Sequence, residues 1–173
     1  MREWAQLLPH GGDVLDLGCG TGVPITRALI DMGFALHAVD ASPSLVAAFR
    51  ARFPHVPVEC ASVGTSSFLE SRFDGIVAWG LMFLLPESEQ VHLIRRMAAA
   101  LKPGGRLLFT APGQECTWDD ILTSQESVSL GSDAYRRLLS AEYLEELDEA
   151  EDEGENHYYL ARKPSGGSDS YGL

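Results

Sequence analysis

The chain has 173 residues, 45% of them hydrophobic and 22% charged, the composition of one globular domain able to bury its own core. Lys and Arg number 13 against 25 Asp and Glu, and the net charge of −12 disfavours a general role on nucleic-acid phosphates. No apolar run approaches the roughly 20 residues that span a bilayer, and the opening MREWAQLLPHGGD lacks the apolar core of a signal peptide. Asp13 to Leu17 (DVLDL) is a compact apolar run ending at glycines and reads as a buried strand. Thr21 to Met32 carries apolar residues at helical spacing and stops at Gly33, a helix C-cap. Phe34 to Asp40 reads as a second strand. Ser42 and Pro43 open a helix reaching about Phe53. Val56 to Cys60 and Phe73 to Trp79 read as third and fourth strands. Pro86 to Leu101 is a long amphipathic helix, stopped by Lys102-Pro103-Gly104-Gly105 before a fifth strand, Arg106 to Thr110.

The alternation beyond that point weakens. Pro112 to Leu130 is polar and turn-rich and reads as a long connection with at most one helical turn. Ser132 to Ala141 looks helical. Tyr143 to Glu149 and His157 to Lys163 read as two last strands, paired over Asp152 to Asn156, with the acidic cluster a solvated edge. The domain therefore runs over residues 1–163, and 164–173 (PSGGSDSYGL) reads as a disordered tail. Strands alternating with helices imply an α/β, doubly wound, Rossmann-like sheet with right-handed crossovers. Cys19, Cys60 and Cys116 are odd in number and widely spaced. They suggest reduced thiols in a cytoplasmic protein, with neither a disulfide scaffold nor a metal site.

Chemistry concentrates in Val14-Leu15-Asp16-Leu17-Gly18-Cys19-Gly20-Thr21-Gly22. Glycines directly after a first buried strand let the backbone turn sharply and approach a ligand. In open α/β sheets, ligands sit at the carboxyl ends of the strands. The spacing is G-x-G-x-G, whereas the dinucleotide fingerprint is G-x-G-x-x-G, and the P-loop lysine is absent. Asp16, two places before the first glycine, would repel a pyrophosphate and attract an ammonium group. A ligand with an amino group and no phosphate, such as S-adenosylmethionine, fits the loop better than NAD or ATP. Asp40, 24 residues after Asp16, ends the second strand, where an acid can accept hydrogen bonds from ribose hydroxyls.

With these features in place the chain resembles the class I S-adenosylmethionine-dependent methyltransferases. VLDLGCGTG is similar to the first motif of that family and AVDASPSLV to the second. FDGIVAWGLMFLLP resembles its fourth-strand motif, and LKPGGRLLFTAP its turn and fifth strand. The DEGENHYYLARKP ending resembles a subgroup of small methyltransferase-like proteins. The resemblance implies a seven-stranded sheet of order 3-2-1-4-5-7-6 with strand 7 antiparallel. It implies that Asp16, Gly18, Cys19, Gly20, Thr21 and Gly22 hold the methionine part, and Asp40 the ribose, with Ala41 and Ser42 beside the adenosine. Ser62 and Val63 fall at the adenine position, where an acid is usual and none occurs here. Trp79 and Gly80 fall where the fourth strand opens onto the methyl group. About a dozen residues precede Asp13, fewer than the helices that usually cover this fold, and Trp4, Leu7 and Leu8 suit one short helix. An open acceptor pocket, or one completed by a second copy or a partner chain, is the expectation.

Methyl transfer needs a general base only if the acceptor must lose a proton. His157, Tyr158 and Glu115 are the candidates. Each has a plainer reading: a structural histidine beside a turn, a core tyrosine, a solvated acid. Trp79 divides evenly between core and site, and Phe83 to Leu85 form an apolar lead-in to the long helix. The expected function is methyl transfer from S-adenosylmethionine, leaving S-adenosylhomocysteine, to a small-molecule acceptor. The alternatives are a methyltransferase-like binding or scaffold protein with little or no catalysis, and an NAD-dependent oxidoreductase.

Overall fold

The computed structural model describes residues 1–120, 126–151 and 157–165. The elements are α1 (Arg2–Gln6), β1 (Asp13–Leu17), α2 (Ile25–Asp31), β2 (Ala35–Asp40), α3 (Pro43–Arg52), β3 (Val58–Cys60) and β4 (Phe73–Ala78). There follow α4 (Glu87–Ala100), β5 (Leu101–Thr110), β6 (Glu115–Asp119), β7 (Glu126–Leu130), α5 (Ser132–Ala141), β8 (Glu145–Glu151) and β9 (His157–Arg162). Seven strands form one sheet in the order β3-β2-β1-β4-β5-β9-β8. β1 to β5 pair in parallel, and β9 runs antiparallel to both β5 and β8. With β8 and β9 as its sixth and seventh strands, this is the expected order.

The sheet is covered on both faces, which is why β1 and β4 read as continuous apolar runs. Leu15, Leu17, Ile76, Leu107 and Phe109 pack on one face with Leu93, Ile94 and Met97 of α4 and Tyr135 and Leu139 of α5. Val14, Leu36, Val77 and Leu108 pack on the other with Trp4 and Leu8 and with Leu29 of α2. The expected short first helix is α1, and it lies close on β4. A Cβ at Gly75 would stand 2.6 Å from Leu8 Cδ1 and 3.0 Å from a Trp4 ring carbon, so a glycine there lets the two elements touch.

Several boundaries differ from expectation. The helix expected from Thr21 starts at Ile25, because the loop runs on through Gly22 (φ +80°) and Pro24 has no N–H to give to a first turn. The third strand starts at Val58 rather than Val56. The fifth starts at Leu101, since the Lys102–Gly105 segment stays extended beside Phe73 through a register irregularity. The sixth starts at Glu145, after Tyr143 (φ +57°).

The main correction concerns Pro112 to Leu130, whose described residues are not an irregular connection. They contain β6 and β7, a separate antiparallel pair. Buried Gln90 of α4 ties this pair down: its amide donates to Leu85 O (2.8 Å) and Val128 O (2.9 Å), and its carbonyl accepts the Tyr135 hydroxyl at 2.6 Å. The expected turn over Asp152 to Asn156 lies outside the described residues, as do residues 166–173 of the expected tail. No helix of the described residues is long and apolar enough to cross a membrane.

Candidate functional site at the carboxyl edge of the sheet

The parallel strands bring the ends of β1, β2 and β4 to one edge. Gly18, Gly20 and Gly22 follow β1 with φ of +71°, +55° and +80°, a left-handed path that L side chains disfavour. Gly18 N–H donates to Val39 O at 2.8 Å, which fixes the loop to β2. A Cβ on Gly18 would stand 3.2 Å from Leu81, and one on Gly22 only 2.3 Å from the Phe53 ring. Arg52 Nη1 donates to Thr21 O at 2.9 Å. The loop is thus clamped by α3 from behind and by the segment after β4 in front.

Two carboxylates flank it. Asp40 accepts the Gly20 N–H on one oxygen and the Ser42 N–H on the other, each at 2.8 Å. One acid therefore sets both the glycine turn and the entry to α3. Asp16 is 2% exposed, and its Oδ2 accepts the Thr26 hydroxyl at 2.6 Å. Burial pushes the Asp16 carboxyl up to about 6; the Thr26 bond pulls it down and the charge of Asp40 adds to the rise. A buried acid with one hydroxyl partner fits a cationic ligand group placed beside it.

Other expected residues take different places. Cys19 turns its thiol into the cluster of Ala38, Phe49 and Phe53, and burial pushes that thiol up, so only its backbone belongs to the loop. Ser62 is exposed, with Oγ 2.9 Å from Thr65 Oγ1, while Val63 packs its side chain into the core. Ala41 is exposed and Ser42 caps α3 at Leu45 N. Gly80 N–H donates to Thr110 Oγ1 at 2.8 Å, which joins the ends of β4 and β5. Trp79 lies beside them, its ring 5.0 Å from that of Tyr158.

The base candidates do not form one cluster. Tyr158 is 7% exposed and packs with the α1 face. Glu115 was expected in a loop but stands exposed on β6, lining an open groove with Glu87 and Arg137. His157 sits at the start of β9, bonded to Glu149 at 2.7 Å.

The family model for a methyltransferase domain matches residues 14–105, more than half of the chain. The chain belongs to this methyltransferase domain family. It is 30% identical over 109 residues to the ubiquinone biosynthesis O-methyltransferase of Coxiella burnetii; the match covers 61% of this chain and 45% of that protein. The chain thus spans less than half of that relative. Among solved structures, the 1,6-didemethyltoxoflavin-N1-methyltransferase of Burkholderia thailandensis, with S-adenosylhomocysteine bound, matches with a TM-score of 0.76. Identity there is 21%, over 94% of this chain and 77% of that one. The [4+2]-cyclase SpnF matches with a TM-score of 0.77 and 20% identity, over 95% of this chain and 80% of that one.

Within this methyltransferase domain, sequence reasoning missed Thr26, Thr110 and Arg52. Thr26 follows ten residues after the acid it binds, inside a helix, where a threonine carries no mark of its partner. Thr110 and Arg52 act on backbone groups far along the chain, which no local pattern records.

Proposed function

We propose that this chain binds S-adenosylmethionine at the glycine loop and transfers its methyl group to a small-molecule acceptor. The observation that carries the proposal is the pair Asp16 and Asp40 on either side of the Gly18–Gly22 turn. One is buried beside the Thr26 hydroxyl; the other holds the turn through two backbone N–H groups. Asp16 would face the amino group of the methionine part and Asp40 the ribose hydroxyls. When bound, the cofactor supplies a sulfonium that activates its methyl group, and the protein's part is to bind, orient and exclude water. A carboxylate near that cation stabilises the ground state more than the transition state, so Asp16 is a binding residue.

Three free cysteines are compatible with a reducing, cytoplasmic setting. A second reading, cofactor binding with little or no transfer, draws on Ser62 replacing an acid at the adenine side. It also draws on the cyclase neighbour, since fold alone does not set chemistry. Titration calorimetry with S-adenosylhomocysteine and with NADH tests these readings. The proposal expects heat with the first and none with the second; silence with S-adenosylhomocysteine at millimolar concentration overturns it. Product formed from radiolabelled cofactor and an acceptor pool separates transfer from binding alone. Light scattering shows whether a second copy completes the acceptor space.

A further inference from the structure

β9 enters the sheet antiparallel, so its first residue stands at the carboxyl edge that carries the glycine loop. The registers Ala78↔Phe109 and Thr110↔Tyr158 set Trp79, Thr110 and Tyr158 in one row across β4, β5 and β9. His157 lies one position further out, its O accepting the Ala111 N–H at 3.3 Å. It is two strand spacings from Gly80, about 10 Å, a gap that a small ring-bearing molecule can bridge.

The imidazole is held in one orientation. Nε2 is 2.7 Å from Glu149 Oε2 of β8, and that oxygen also accepts the Ser132 hydroxyl at 3.2 Å. Arg136 of α5 stands 2.8 Å from the other oxygen of Glu149. Tyr159 packs its ring 4.8 Å from His157, and its hydroxyl lies 2.9 Å from Ser132 Oγ. Glu151 is the register partner on β8. Burial alone would raise the Glu149 carboxyl, but the hydrogen bond from His157, with Arg136 and Ser132, outweighs it and holds it below the usual range. Glu149 is therefore an anion that keeps the proton on Nε2. Among the described residues Nδ1 has no hydrogen-bond partner, and it faces Gly113, where a Cβ would stand only 3.1 Å away.

We infer that Glu149 and His157 form an acceptor-side proton-abstracting pair, and that the acceptor is a weakly acidic ring hydroxyl, a phenol or enol. This rests on the methyl-transfer reading above and deepens it. A carboxylate acceptor needs no base, and a neutral amine can shed its proton after transfer. A phenol ionises near pH 10 and needs one at neutral pH. The acceptor O–H bond breaks with its proton going to Nδ1 of His157. The oxygen's electron pair forms the O–CH3 bond as the C–S bond of the sulfonium donor breaks, and a neutral thioether leaves. Glu149, a positioning residue, stabilises the resulting imidazolium.

The test uses the full chain with phenol, catechol and para-nitrophenol, the last already largely ionised near neutral pH. Wild-type protein should methylate catechol with a rate that rises with pH. His157→Asn should lose about 100-fold in rate with catechol and far less with para-nitrophenol, while binding S-adenosylhomocysteine as the wild type does. Glu149→Gln should lower kcat with catechol and far less with para-nitrophenol, and Glu149→Asp should restore part of it, since the imidazole loses and regains its anchor. Independently of turnover, catechol added to the S-adenosylhomocysteine complex should show phenolate absorbance near neutral pH, and His157→Asn should abolish it. Equal losses for both phenols in either His157→Asn or Glu149→Gln, or no phenol methylated by protein that binds S-adenosylhomocysteine, overturns the pair. Failure to bind S-adenosylhomocysteine overturns the methyl-transfer reading instead.

Discussion

Asp40 combines two tasks that a sequence reader would assign to separate residues. Its two oxygens hold the Gly20 and Ser42 N–H groups, so the acid shapes the loop before any ligand arrives. Asp40→Ala should weaken S-adenosylhomocysteine by more than about 1 kcal/mol, about fivefold or more, because charge-assisted bonds are lost and the turn relaxes. Calorimetry reads this directly; an unchanged dissociation constant removes Asp40 from the site. Thr26 acts more subtly, since its hydroxyl lowers a carboxyl that burial raises. Thr26→Val should push Asp16 further up and leave less of it ionised at pH 7. Affinity should then fall severalfold at pH 7, with part of the loss recovered at pH 8.5. A pH-independent loss would mean that Thr26 acts only by packing.

At the scale of elements, the glycine loop depends on α3 as much as on its own residues. Gly22→Ala would combine a strained left-handed φ, costing about 1 kcal/mol, with a clash against Phe53. The variant should be destabilised in urea, and Phe53→Leu should recover part of the loss; no recovery would show that strain alone is at work. Much of the sheet was legible because buried parallel strands announce themselves: DVLDL and FDGIVAW are apolar runs ended by glycine or a polar turn. The β6–β7 pair was not. ECTWD and ESVSL are short, half exposed and polar, and their support comes from Gln90 and Tyr135, 38 and 5 residues from the groups they bind. Of the site, the glycines and both acids could be read because their chemistry is local. The His157–Glu149 contact could not, because it depends on how β8 and β9 are set against each other. Gln90→Leu would take the amide donor from Leu85 O and Val128 O and the acceptor from the Tyr135 O–H together, and should cost about 2–4 kcal/mol by urea unfolding. A cost below about 1 kcal/mol would show that the hairpin does not need this tie.

Over the whole molecule, the buried Asp16 couples folding and ligand binding to pH with opposite signs. Its folded value of about 6 lies above the ordinary 3.8, so between those values the folded chain holds a proton that the unfolded chain has shed. This group's contribution is therefore favourable below pH 4 and is lost as pH rises through 6, a change of about 3 kcal/mol. Glu59 and Glu149 are held below their ordinary range, and their contributions run the other way, being lost as pH falls. The comparison that isolates Asp16 is wild type against Asp16→Asn, which carries no such group. Between pH 4 and 6.5 the wild type should lose stability relative to the variant. A bound ammonium group reverses the preference, because it favours the ionised acid. The thermal shift produced by a fixed excess of S-adenosylhomocysteine should therefore grow from pH 5 to pH 7 in the wild type, as its affinity rises about tenfold. In Asp16→Asn the shift should be smaller and flat over that range. A shift that grows equally in both proteins would place the titrating group elsewhere and remove Asp16 from the ammonium site.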